Sequence, residues 1–214
     1  GDLFGDQLGA LCERALRLEV GGDVFLDAAD LASGATSSCL RSVDGDLSLT
    51  GATDLPDLLG LAGLESVGGE LRIEQADGLL TLRGLETLSA VGGGFIVRDN
   101  LSLRSIAGPG LFAGEVDVDV VVAHNPSLVS LDGFKAVDGF GGSLRVVGNE
   151  RLVSLDALQA VVSVQGDLQI AHNPALASVV GLGALQWVQG SLSLDDNDVL
   201  ASLVGLERLV GVRW

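Results

Sequence analysis

Residues 141–164 read GGSLRVVGNERLVSLDALQAVVSV, and the two blocks that follow, 165–188 and 189–212, read QGDLQIAHNPALASVVGLGALQWV and QGSLSLDDNDVLASLVGLERLVGV. Residues 68–91, GGELRIEQADGLLTLRGLETLSAV, fit the same frame: G-x-L-x-I-x-x-N-x-x-L-x-S-L-x-G-L-x-x-L-x-x-V. Self-similarity at a fixed period of this length is the mark of a repeat array. The L-x-I pair alternates inward and outward, as a half-buried strand does. Two further apolar pairs, as at Leu155 with Leu158 and at Leu206 with Leu209, supply the remaining walls of a coil. Paired glycines turn the corner, where positive φ is cheap only for glycine.

The register extends outward from this block. Asn100, Asn125, Asn149, Asn173 and Asn197 are spaced 25, 24, 24 and 24 residues apart, and a Ser follows each by five, at Ser105, Ser130, Ser154, Ser178 and Ser202. Ala52 and Ala76 take the Asn position in the earlier coils, and Thr81 takes the Ser position. An earlier coil is visible at Gly21-Gly22-Asp23-Val24, one residue short of the period. The expected fold is all-β: a β-solenoid of about eight leucine-rich coils of 24 residues, forming one repeat domain over 1–214. Residues 1–20 are expected as an N-terminal cap, with a short helix within 6–18, and residues 21–214 as the stacked coils. Stacking places equivalent residues about 4.8 Å apart. The five asparagines then form a structural ladder whose amides bond their neighbours or the turn backbone.

Composition bounds the function. Hydrophobic residues make up 47% of the chain and aromatics 4%, so the core is aliphatic. The net charge is −17 and Lys135 is the only lysine, which argues against nucleic acid and anionic lipid as partners, since both need a cationic footprint. The acidity suits either cationic partners or the solubility of an apolar chain. No apolar run approaches the ~18 residues of a membrane span, so no direct membrane insertion is expected. The chain begins at Gly1 and holds no Met, so it reads as a processed product or an excised segment, and the missing signal peptide says nothing against export. The last residues, 205–214, match the close of a coil; Trp214 plugs that end, or the protein continues, or subunits stack. Cys12 and Cys39 are expected to form a disulfide, which implies an oxidising compartment; the alternative is two buried thiols.

Chemistry has few places to reside. His124 and His172 sit in matching AHNP tetrapeptides two coils apart, about 10 Å, with Gly148 on the rung between them. A shared ion needs ligands within about 2.1 Å of it, so a turn role is expected and no metal. The run Asp195-Asp196-Asn197-Asp198 is either a solvated turn or a calcium site, without the nonapeptide calcium-roll repeat. No pair of carboxylates or Ser/His/Asp set converges, and no Gly-rich phosphate loop opens a helix, so no catalytic residue and no cofactor is expected. A polysaccharide-active enzyme is the remote alternative. Ice or glycan binding is another, disfavoured by mixed outward rows and two Trp without Tyr. The outward positions of the middle coils carry Ile96, Val121, Ala123, Val147 and Ala171, flanked by Arg72, Arg98 and Arg145. On an acidic chain this is an apolar, locally basic patch. It is a candidate partner surface, or else ordinary strand residues.

The frame resembles the receptor L domain, the leucine-rich β-helical module of insulin- and EGF-type receptor ectodomains and of fungal and bacterial surface proteins. The stretch Ser38-Cys39-Leu40-Arg41-Ser42-Val43-Asp44-Gly45-Asp46-Leu47 is similar to that family's entry motif, in which a Cys precedes V-x-G-x-L. The likeness covers about residues 12–214, with no Cys-rich module, kinase or membrane segment beside it, so growth-factor signalling is not carried over. It implies a right-handed β-helix, a Cys12–Cys39 pairing, an extracytoplasmic location and a non-enzymatic role. Its sheet face would bind through Arg72, Ile96, Arg98, Val121, Arg145 and Val147. The expected function is recognition of a protein or other macromolecule. The alternative is a structural subunit of a surface layer, filament or larger complex, where the partner is another copy.

Overall fold

The computed structural model describes residues 1–14, 17–27, 30–31, 39–110 and 112–213. Residues 15–16 of the expected helix, Ser38 of the entry motif and Trp214 lie outside them. The chain is a β-solenoid of about eight coils, almost wholly parallel in its pairing. Its contacts divide it into two compact units, Gly1–Leu101 with Gly108–Leu111, and Ser102–Ala107 with Phe112–Trp214.

In the N-terminal unit one sheet runs through Leu3–Phe4, Val24–Leu26, Leu47–Thr50, Glu70–Glu74 and Gly94–Arg98, and a second through Leu18–Val20, Leu40–Val43, Ser66–Val67 and Ala90–Val91. The C-terminal unit repeats the plan. Its first sheet holds Asp119–Ala123, Leu144–Val147, Leu168–Ala171 and Leu192–Ser193. Its second holds Ala113–Val116, Ala136–Phe140, Ser163–Val164, Trp187–Val188 and Gly211–Val212. In the longer coils each pairing joins residues one period apart, as Leu144 with Leu168 and Val146 with Ile170.

The coil at 141–164 shows how the frame folds. Leu144 and Val146 point in from the first strand, Leu152 and Leu155 from the middle wall, and Leu158, Val161 and Val164 from the last; all are buried. A 3-10 turn at Asp156–Leu158 bends the chain between walls. Each fully buried aliphatic side chain contributes about 1.5–3 kcal/mol.

Three local findings refine the sequence reading. First, the helix occupies Gly5–Cys12 and stops at Glu13. Leu3–Phe4 before it is already a strand paired with Val24–Phe25, and Leu18–Val20 after it pairs with Leu40–Val43. The expected cap is therefore largely a coil with a helix inserted, because the apolar alternation at Leu18 and Val20 suits a strand. Second, the corner glycines do not have positive φ. A Cβ on Gly68 would lie 2.2 Å from the Asp44 carbonyl oxygen, so glycine is required there by the close approach of the preceding coil's backbone. Positive φ occurs instead just before the Asn position, at Gly51, Gln75, Asp99, His124, Gly148, His172 and Asp196. Third, the pairing of Ala113–Val116 with Ala136–Phe140 shifts register after Gly114, whose φ is +76°: Gly114 is in register with Val137 and Glu115 with Gly139, so Asp138 is the extra residue. That is the geometry of a bulge that adds one residue to one strand.

The serine column also has a structural role. The N–H of Ala107 donates to Ser105 Oγ, that of Val180 to Ser178 Oγ and that of Val204 to Ser202 Oγ, each at 3.1 Å. Thr81 accepts from Arg83 in the same way, which explains why Thr replaces Ser without loss of the turn.

Candidate functional site

The asparagines form a buried, directional chain of hydrogen bonds. Asn125 N–H donates to Asn149 Oδ1 at 3.1 Å, Asn149 N–H to Asn173 Oδ1 at 3.0 Å, and Asn173 N–H to Asn197 Oδ1 at 3.1 Å. Each side-chain amide also donates back to a strand carbonyl: Asn149 to Val122, Asn173 to Val146 and Asn197 to Ile170. In the N-terminal unit Asn100 Oδ1 accepts from the N–H of Ala76, so a coil lacking the Asn is still bonded by its successor. This chain holds the first sheet rigid and fixes where its outward side chains stand.

Those outward side chains divide between the units. In the N-terminal unit Arg72 pairs with Glu70, and Arg98 grips Glu74 through Nε at 2.9 Å and Nη2 at 3.2 Å. The Glu74 carboxylate holds the Arg98 guanidinium above its ordinary pKa, through its hydrogen bond first and its charge second. Ile96, in register with Arg72, is half-buried. In the C-terminal unit Val121 is in register with Arg145, and both are half-buried, as is Val147. Arg145 lies 3.7 Å from Asp167. Each arginine therefore faces a carboxylate rather than presenting bare charge, and the apolar character of the face is what remains. Ala123 and Ala171, expected outward, are only 7% and 1% exposed. Both are in register with Val147 on the strand between them, and a methyl side chain projects too little past its neighbours to stay in solvent.

No family model, no curated protein and no solved structure matches the chain. The fold and the side chains are therefore the basis for a functional reading.

The two histidines stand in the positive-φ column, His124 at +52° and His172 at +55°. Histidine, Asn and Asp tolerate that conformation better than most side chains. The His124 ring lies over Gly148, where a Cβ would come within 2.4 Å of its Nδ1. His172 Nδ1 is 3.2 Å from Asp196 Oδ2 in the following coil, an ion pair only when the imidazole is protonated. With Glu150, Pro174 and Asp198 these residues line an open groove of about 460 Å³. Among the described residues no three His, Cys, Asp or Glu side chains are grouped to hold a metal ion. His172→Gly is expected to shift stability by less than about 1 kcal/mol, because relief of the positive φ offsets loss of an exposed contact; thermal melts of the two proteins side by side measure it.

Sequence reasoning missed the positive-φ column, because Gly, Gln, Asp and His share no obvious pattern. Their common signal is position alone, one residue before each Asn rung.

Proposed function

We propose that the chain is an extracytoplasmic recognition module of the receptor L-domain kind, non-catalytic, that binds a protein partner on the first sheet of its coils. The observation that carries this reading is the pair Val121 and Val147, half-exposed aliphatic side chains beside Arg145 on strands pinned by the asparagine ladder. Rigid strands lower the ordering cost of binding. The Cys12–Cys39 disulfide supports the location, since such bonds persist in oxidising compartments.

Val121→Asp tests the surface. The variant is expected to keep its circular dichroism and melting temperature, because Val121 is only half-buried, while weakening capture of a secreted or surface protein partner at least tenfold. An unchanged affinity would remove this face from the reading. A second reading, a structural subunit, is favoured by exposed aliphatic side chains one period apart within the array, Val129 at 46% and Val153 at 55%. Light scattering across a concentration series separates the two: a constant mass fits recognition, and growth of mass with concentration fits assembly.

A further inference from the structure

The second sheet of the C-terminal unit carries a feature that the recognition face does not use. Trp187 is paired in register with Ser163 on one side and Gly211 on the other. Its benzo ring occupies the space over Gly211, where a Cβ would lie 2.7 Å from Cζ3 and 3.0 Å from Cε3. Any other residue at 211 would push the ring off the sheet. The indole is thus laid across the neighbouring strand, and Trp187 remains 37% exposed.

Three glutamines stand on the strand ends and corners next to the ring. Gln165, Gln189 and Arg213 follow one another at the period, and their backbone N–H groups donate to Phe140, Val164 and Val188, which places them side by side at one end of the strands. Gln186 stands at the other end, between the exposed Val162 and Val210. The chain has seven glutamines, and three of them frame this one ring. Among the described residues none of the three amides, and not the indole N–H, has a protein hydrogen-bond partner. On a chain of net charge −17, Gln165, Gln186, Gln189 and Arg213 bring one cation, Arg213, and no carboxylate; the nearest acidic residues in these columns and corners are Asp138 and Asp167.

We infer that the surface around Trp187 is a binding site for a neutral saccharide, with the indole as a stacking platform and Gln165, Gln186 and Gln189 as partners for hydroxyl groups. A pyranose has a C–H face that packs on an aromatic ring and an equatorial rim of hydroxyls that both donate and accept. An amide does both as well, which a carboxylate or a guanidinium does not. Coil spacing sets the scale: three coils span about 10 Å, the length of one to two sugar rings. A single ring platform implies weak binding, with Kd on the order of 1 mM. The site is independent of the Val121–Val147 face, so either proposal survives failure of the other.

The test uses the full chain labelled with nitrogen-15 and titrated with cellohexaose, chitohexaose, laminarihexaose and mannohexaose. The chain has two Trp, so a Trp214→Phe variant assigns the indole N–H signals. At least one neutral hexasaccharide is expected to shift the Trp187 indole signal saturably below about 10 mM. Trp187→Ala is expected to abolish the binding. Gln189→Ala, at a half-buried position whose side chain has no protein hydrogen bond, weakens it severalfold with little change in melting temperature, which separates recognition from folding. Hexagalacturonate, an acidic control, is expected to bind less well. If no neutral probe moves the Trp187 signal, or if Gln189→Ala and Trp187→Ala bind as tightly as the parent chain, the saccharide site is refuted; the same holds if the acidic hexamer binds best.

Discussion

Asn149→Ala is expected to destabilise the protein by about 2–6 kcal/mol, because it strands at least two buried polar groups at about 1–3 kcal/mol each. Asn149 is fully buried. Its Oδ1 is the acceptor for the N–H and the side-chain amide of Asn125, at 3.1 and 3.3 Å. Its Nδ2 donates to the carbonyls of Val122 and Val147, at 2.9 and 3.3 Å. Alanine removes all of these and leaves a void too small and too enclosed for solvent to repair them well. The matched control is Asn197→Ala. Asn197 is 8% exposed, so water can reach part of what it leaves behind, and the loss is expected to fall to about 1–3 kcal/mol. Urea midpoints of the two variants decide the matter. Equal, small losses would mean that the ladder is an ornament of the stacking rather than one of its causes.

Removing the disulfide is the second large effect. Cys12 and Cys39 are bridged, closing a loop with a sequence separation of 27. Loop-closure entropy gives roughly 3–4 kcal/mol for a loop of that length. The bridge ties the end of the helix Gly5–Cys12 to the start of the strand Leu40–Val43, and the Leu18 N–H donates to the carbonyl of Cys39 itself. The double variant Cys12→Ser, Cys39→Ser is therefore expected to lose that stability chiefly from the N-terminal unit. Hydrogen exchange should show faster exchange at Leu18–Val20 and Leu40–Val43, with the amides of 144–147 and 168–171 little changed. Two alkylatable thiols in the native protein, or uniform loss of protection along the whole chain, would contradict this account.

Much of the fold was legible in the sequence because stacking is a periodic constraint and periodic constraints write themselves into the chain. A leucine at each inward position, an Asn at each rung and a glycine pair at each corner follow from one coil lying on the next. What was not legible is whatever depends on the backbone's exact path. The corner glycines were read as conformational devices, but Gly68 is needed because the Asp44 carbonyl passes 2.2 Å from where its Cβ would be. Ala123 and Ala171 were placed outward by simple alternation, which does not register how little a methyl group projects past its neighbours. The pairing of Glu74 with Arg98 was legible, because the period sets them on neighbouring rungs, whereas the approach of Asp167 to Arg145 from a corner was not. The Trp187 surface had a signal that could have been found: Gly211 lies one period after Trp187, the one residue that lets a large ring lie down. Reading the repeat for its leucines drew attention away from its exceptions.

The ladder carries an implication for how such a chain changes over time. From Asn125 to Asn173 each rung gives one N–H to the next Asn, and Asn149 and Asn173 each receive one from the last, so these coils have the same unmet need on one side and the same offer on the other. Excise a whole coil, for instance 149–172, and Asn125 finds Asn173 waiting with the same carbonyl oxygen in the same place. Duplicate that coil and the new rung slots between its neighbours. A deletion of a few residues has no such remedy unless it falls where a bulge like that at Asp138 can absorb it. Whole-coil gain and loss is therefore the natural currency of descent for this chain, and lineages of it should differ in length by multiples of 24 more readily than by anything else.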